Sequence, residues 1–145
     1  MKRDWEELTA TSYHDSVTEI KEAFENQEFD EVSAGLNALL ESMSQELRRT
    51  LKSQLVRLME HIIKWRIQPG NRSKSWQISI RDARNNLFDI METKPSLNRR
   101  HLEEIWDASF LRAVENAEEE TDLKNTVDVL SWQDVFETPY RVSNP

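Results

Sequence analysis

The sequence predicts an all-α protein: a single compact helical bundle of about five main helices plus a short C-terminal helix. Three observations carry that expectation. Only two glycines and four prolines occur in 145 residues, too few for the many turns of an all-β fold. Apolar residues make up 37% and charged residues 32% of the chain, a polar balance that confines apolar side chains to narrow stripes, as helices do. Those apolar residues also recur at three- and four-residue spacing in segment after segment.

Ala10, Tyr13, Val17, Ile20 and Phe24 form the first stripe. Ser12 and Asp15 can cap a start inside it, so residues 4–11 either join this helix or precede it. Asn26 to Asp30 read as a turn. Val32, Leu36, Leu39, Leu40 and Met43 mark a second, shorter helix, in which Gly35 costs about 1 kcal/mol relative to Ala. Ser42 to Gln45 supply caps for a third helix with the stripe Leu47, Leu51, Leu55, Leu58, Ile62 and Trp65. Met59 and Ile63 widen that stripe, which places this helix centrally. It ends near Gln68, because Pro69 disfavours helix at the preceding residue and Gly70 follows.

Ser73 or Ser75 caps a fourth helix carrying Trp76, Ile80, Ala83, Leu87 and Met91. Pro95 and Ser96 open a fifth, since proline is accepted in the first turn. Its stripe is Leu102, Trp106, Phe110, Ala113 and Ala117, and Glu118 to Glu120 close it. Ser131 to Asp134 read as the capped start of a short last helix carrying Val135 and Phe136. Residues 138–145 are expected to be a loose tail on a single domain spanning 1–145.

Several chemistries find no support in these residues. P-loops, dinucleotide fingerprints and nucleophile elbows each need closely spaced glycines, and Gly35 and Gly70 are far apart. The lack of cysteine removes disulfides, thiolate metal sites and cysteine nucleophiles, and it suits a reducing compartment. His14, His61 and His101 have no second histidine at four residues, so no HExxH-type zinc site exists. The acids from Glu118 to Asp122 lack the alternation and glycine of a calcium loop. No catalytic, cofactor or metal site is expected. With no apolar run behind Met1 and no long apolar stretch, the expected location is the cytoplasm.

Charge is the strongest chemical signal. The chain carries a net charge of -8 at a pI near 5.0. Yet Arg48 to Arg84 holds ten Lys or Arg against two acids, while the remaining residues hold nine bases and 25 acids. The candidate cluster within it is His61, Lys64, Trp65, Arg66, Arg72, Lys74, Trp76, Arg81 and Arg84. One reading is phosphate binding, with Trp65 and Trp76 stacking on bases between the cations. Against it stand the acidic overall field and the position of both tryptophans on apolar stripes. The favoured reading is a clamp, in which this basic segment pairs with acidic helices of the same chain or of a second copy. Arg84, at the edge of its apolar face, would bury its stem and reach a carboxylate or ring.

The stretch "LKSQLVRLMEHIIKWRIQPGNRSKSWQISIRDARNNL", with Pro95-Ser96-Leu97 after it, resembles the family called domain of unknown function 29, which is common in cyanobacteria. The family pattern runs onto His61, Lys64, Trp65, Gln68, Pro69, Arg72, Ser73, Ser75, Trp76, Ile80, Arg81, Arg84 and Pro95 to Leu97. "LSWQDVF" near the end is similar to the closing segment of a cyanobacterial subgroup. Many members carry an acidic Glu-Glu-Ile-Glu segment before the central helix; here only Glu41 keeps that character. The resemblance implies an all-helical fold and no activity. The expected function is therefore that of a non-enzymatic helical interaction module, partnered by a second copy or another protein and not by a membrane. A nucleic-acid binder using residues 48–84 is the alternative, and an enzyme built from dispersed carboxylates and His61 is the third.

Overall fold

The computed structural model describes residues 2–143. It is all helical as expected: α1 Trp5–Thr11, α2 Tyr13–Glu25, α3 Phe29–Ile67, a 3-10 turn Pro69–Asn71, α4 Lys74–Thr93, α5 Arg99–Thr121 and α6 Trp132–Phe136. No strand forms among the described residues, and none of the helices is long and apolar enough to cross a membrane.

The helix boundaries decide one point the sequence left open, at Ser12, and differ from the expectation in two places. Ser12 adopts extended backbone and its side chain accepts from the Asp15 N–H, so it breaks the first stripe into α1 and α2. The second and third expected helices are one continuous helix of 39 residues. Ser42 does not cap a new start; its hydroxyl donates to the Thr9 carbonyl at 3.3 Å. No proline interrupts α3, and the stripe from Leu36 through Met43 and Leu47 to Leu51 stays in phase. At α5 the cap is Asn98, whose side chain accepts from the His101 N–H, and Pro95 and Ser96 lie in the preceding turn. Leu97 and Leu102, both buried, occupy the positions of a hydrophobic staple.

The chain divides into two compact units, Met1–Arg48 and Arg49–Pro145. In the first, α1, α2 and the start of α3 bury Trp5, Thr9, Ser16, Ile20 and Ala23. The Arg3 guanidinium lies against the Trp5 ring at 5.9 Å and pairs with Glu19 at 2.8 Å. Trp5 donates its indole N–H to Glu31. Val17, Phe24, Leu36, Leu40 and Met43, expected on apolar faces, are exposed here. This unit carries twelve acids and four bases, hence the whole net charge of -8.

The second unit holds fifteen acids and fifteen bases. Its core is Leu51, Leu55, Leu58, Met59, Ile62 and Ile63 of α3, packed with Ile80 and Leu87 of α4, Leu102 and Ala113 of α5, and Val135 of α6. Trp106, expected to be buried, is half-buried, and its indole N–H donates to the Leu130 carbonyl at 2.8 Å. Its ring stacks on Trp132 at 5.8 Å, and Phe136 lies 4.3 Å from Trp132, so α6 joins the core through aromatic contacts.

Residues 138–142 are not loose. Tyr140 is buried and its hydroxyl donates to the Asp134 carbonyl at 2.7 Å, and the Val142 N–H donates to the Gln77 side chain at 3.1 Å. One aromatic ring with an O–H to satisfy is enough to tie a short segment down. The last two residues of the expected tail lie outside the described residues.

Candidate functional site

The C-terminal turns of α3 place Lys64, Trp65 and Arg66 next to one another, and the 3-10 turn that Pro69 initiates brings Arg72 back onto them. The Lys64 ammonium donates to Glu120 of α5 at 2.6 Å and sits 5.2 Å from the centre of the Trp76 ring. Its side chain is only 9% exposed, whereas that of Glu120 is 53% exposed. Water therefore screens the pair, which contributes under about 1 kcal/mol by itself. Losing Glu120 would cost more, because a nearly buried ammonium would keep only the face of an indole.

Arg66 reaches Asp134 of α6 at 2.8 Å. Burial opposes the Asp134 charge, but Ser131 and Arg66 together hold its carboxyl below its ordinary value. Ser131 and Asp134 also cap α6 reciprocally, so one carboxylate serves both the helix start and the clamp. Arg72 donates to the Trp65 carbonyl at 2.8 Å and lies over that indole at 5.1 Å. Trp65 in turn meets Tyr140 edge-on at 5.9 Å.

Among the described residues Arg84 of α4 finds no carboxylate. It donates to the Val135 and Thr138 carbonyls, each at 2.7 Å, and lies over the Tyr140 ring at 5.4 Å. Burial pushes its pKa below the ordinary arginine value, though a guanidinium stays charged at physiological pH. The expected ring is thus Tyr140, and backbone carbonyls at the end of α6 and just beyond it stand in place of the expected carboxylate.

Of the nine residues singled out by sequence, Lys64, Trp65, Arg66, Arg72, Trp76 and Arg84 come together. Trp76, expected to be buried, is half-buried, one face given to Lys64. Lys74 is exposed in the first turn of α4, and Arg81 is exposed and paired with its neighbour Asp82 at 3.1 Å. His61 makes no bond to these residues, although Lys64 and Glu120 are close enough to act on its charge. Its Nδ1–H donates to the Arg57 carbonyl at 2.9 Å, since a carbonyl can only accept, and Glu60 is 3.9 Å from the same nitrogen. Burial pushes the His61 pKa down, and burial together with the nearby Glu120 pushes that of Glu60 up. Among the described residues no group of three or more His, Asp or Glu is placed to hold a metal ion.

The remaining cations of residues 48–84 face elsewhere. Arg49, Lys52 and Arg57 of α3 join Arg112 of α5 along a groove of about 640 Å³ between the two helices. Sequence reasoning missed Arg112, and it missed the clamp partners Glu120, Asp134 and Tyr140, which lie some fifty or more residues away from the cations they meet.

The family model described as "Domain of unknown function DUF29" matches residues 8–138. The chain belongs to the DUF29 family. That span takes in all of the clamp except Tyr140. Neither a curated protein nor a solved structure matches this DUF29 chain.

Proposed function

We propose that this chain is a non-enzymatic helical interaction module that pairs with a second copy of itself through the first half of α3. The observation that carries this reading is an apolar stripe facing solvent: Leu36, Leu40 and Met43 lie at four- and three-residue spacing and are 47%, 64% and 46% exposed. No charged residue falls between Val32 and Leu40. An uncharged stripe of this kind is its own complement, as a two-fold interface requires. The internal bonds that Lys64, Arg66, Arg72 and Arg84 make to groups of the same chain support a binding module over the nucleic-acid alternative. The cysteine-free composition suits the cytoplasm.

Sedimentation equilibrium tests the pairing. Because each first unit carries -8, added salt should strengthen a dimer held by apolar contacts. Leu40→Glu should abolish it while leaving the thermal melt of the monomer in place, since Leu40 contributes little to its own core. A protein that stays monomeric at high micromolar concentration in both low and high salt would overturn the proposal.

A further inference from the structure

We infer that the groove between α3 and α5 is a docking site for an acidic amphipathic helix of a partner protein. This goes beyond self-pairing: the groove lies wholly in the second unit, on different residues from the α3 stripe. Its cations are Arg49, Lys52 and Arg57 from one face of α3 and Arg112 from α5, all exposed. Among the described residues none of these four takes part in an ion pair. They differ in this from Lys64, Arg66 and Arg81, which do. Arg72 and Arg84 instead donate to backbone carbonyls.

Between the cations lies an apolar floor. Val56 is half-buried, and Leu111 is 64% exposed at the centre of α5. An apolar floor edged by charge in a groove between two helices is the shape that receives the apolar face of a third. The dimensions agree. From Arg49 to Glu60 the groove follows α3 for about 16 Å, three helical turns, and the three α3 cations span about 12 Å of it. A partner helix would set Leu or Ile against Val56 and Leu111 and present carboxylates to the cations over two turns. Glu60 and Glu115 occupy the other end of the groove. There the partner needs a Lys, Asn or Gln, which sets the direction in which it lies.

Two features favour a protein segment over nucleic acid. Among the described residues no aromatic ring lines the groove, and single-strand binders rely on rings to stack bases. The acids at one end would also repel a continuous phosphate backbone, whereas a peptide can change sign along its length.

Fluorescence anisotropy on the full chain tests the inference. The probe is a labelled helix-forming peptide of about four turns, with a leucine stripe flanked by glutamates and one lysine at its end. Controls are the same peptide with glutamine for glutamate, a scrambled version, and a short single-stranded oligonucleotide. The glutamate peptide should bind saturably and weaken as salt rises, the opposite salt response from self-pairing. The pair Arg57→Glu with Arg112→Glu should lower its affinity at least about tenfold. Arg100→Glu, an exposed cation on α5 outside the groove, should leave affinity unchanged. Lys52→Glu, on α3 alone, should reproduce the loss if the double variant melts early. Equal binding of the glutamine or scrambled peptide, an oligonucleotide that competes through the same two arginines, or no saturable peptide binding at low salt would each overturn it.

Discussion

Replacing Gly35 with alanine should destabilise the first unit, against the ordinary rule for helices. On a solvent-facing helical position the change gains about 1 kcal/mol, because glycine loses more backbone freedom on folding. Gly35 does not face solvent. A Cβ built there would stand 2.7 Å from Cγ1 of Ile20 and 2.9 Å from two ring carbons of Trp5. Carbon atoms in contact prefer about 3.5–4.0 Å, so three contacts fall short by more than half an ångström. The ring cannot easily retreat. Its indole N–H is bound to Glu31, and the Arg3 guanidinium lies against it. Overpacking of this kind costs about 1–3 kcal/mol, and contacts with a held ring belong at the upper end. Set against the propensity gain, the net loss is about 1–2 kcal/mol.

Urea unfolding followed by far-ultraviolet circular dichroism measures this directly. A double-mutant cycle with Trp5→Leu locates the cause. Trp5→Leu is costly alone, but in its background Gly35→Ala should be neutral or stabilising, because the obstacle has gone. The reasoning fails if Gly35→Ala in the native background raises stability by about 1 kcal/mol, for then the space above Gly35 is open.

Two further outcomes are expected in the second unit. Arg84→Met should keep much of the stem's packing but leave the Val135 and Thr138 carbonyls without their donor, costing about 2 kcal/mol; a loss below about 0.5 kcal/mol by urea unfolding would remove Arg84 from the clamp. Glu60→Gln should stabilise the protein at pH 7 and lose that advantage towards pH 4.5. The Glu60 pKa is raised above 4.5 in the folded chain, so its stabilising contribution holds at low pH and is lost as pH rises through the folded value. His61 has the opposite sign, since its pKa lies below 6.5 when folded and its contribution is lost as pH falls from there. The comparison of Glu60→Gln with wild type by unfolding at both pH values isolates the first effect, and an advantage that does not change with pH would refute it.

How far the fold was legible follows from what each signal measures. The hydrophobic period identified the helical segments from α2 onwards, because 3.6-residue spacing is imposed by the backbone, but left residues 4–11 open. Where helices break is decided by single polar residues, and there the same residue type can do two things. Ser12 caps a helix, whereas Ser42 sits inside one and donates to Thr9. Both are serines before a suitable third residue, and only the chain packed alongside separates them. The unbroken phase from Leu36 to Leu51 was the better guide at Ser42. Period also says nothing about what covers a stripe. Leu40 and Leu55 belong to the same stripe, yet one is exposed and the other fully buried. Gly35 shows the same limit from the other side: its propensity cost was visible in the sequence, and the close approach of Trp5 and Ile20 that requires it was not.

The candidate site was legible as a surplus of charge and illegible as an arrangement, because the count was taken along the chain and the chemistry is set by helical face. On α3, Arg49, Lys52 and Arg57 line the groove with α5, and Lys64 and Arg66 turn to acids on α5 and α6. Those positions lie about two to five turns apart on one helix and differ by the whole of their surroundings in space. A face-by-face count would have separated Arg49, Lys52, Val56 and Glu60 as one amphipathic edge with its own acid. It could not have supplied Glu120, 56 residues from Lys64, or the carbonyl of Val135, 51 residues from Arg84. Long cationic side chains take whatever acceptor the packing of distant helices delivers, and a backbone carbonyl leaves no mark in composition. The cations left over once such partners are assigned are the ones free to meet another molecule. By that reasoning the α3–α5 groove, and not the Lys-Trp segment that dominates the sequence, is where an acidic partner should be sought.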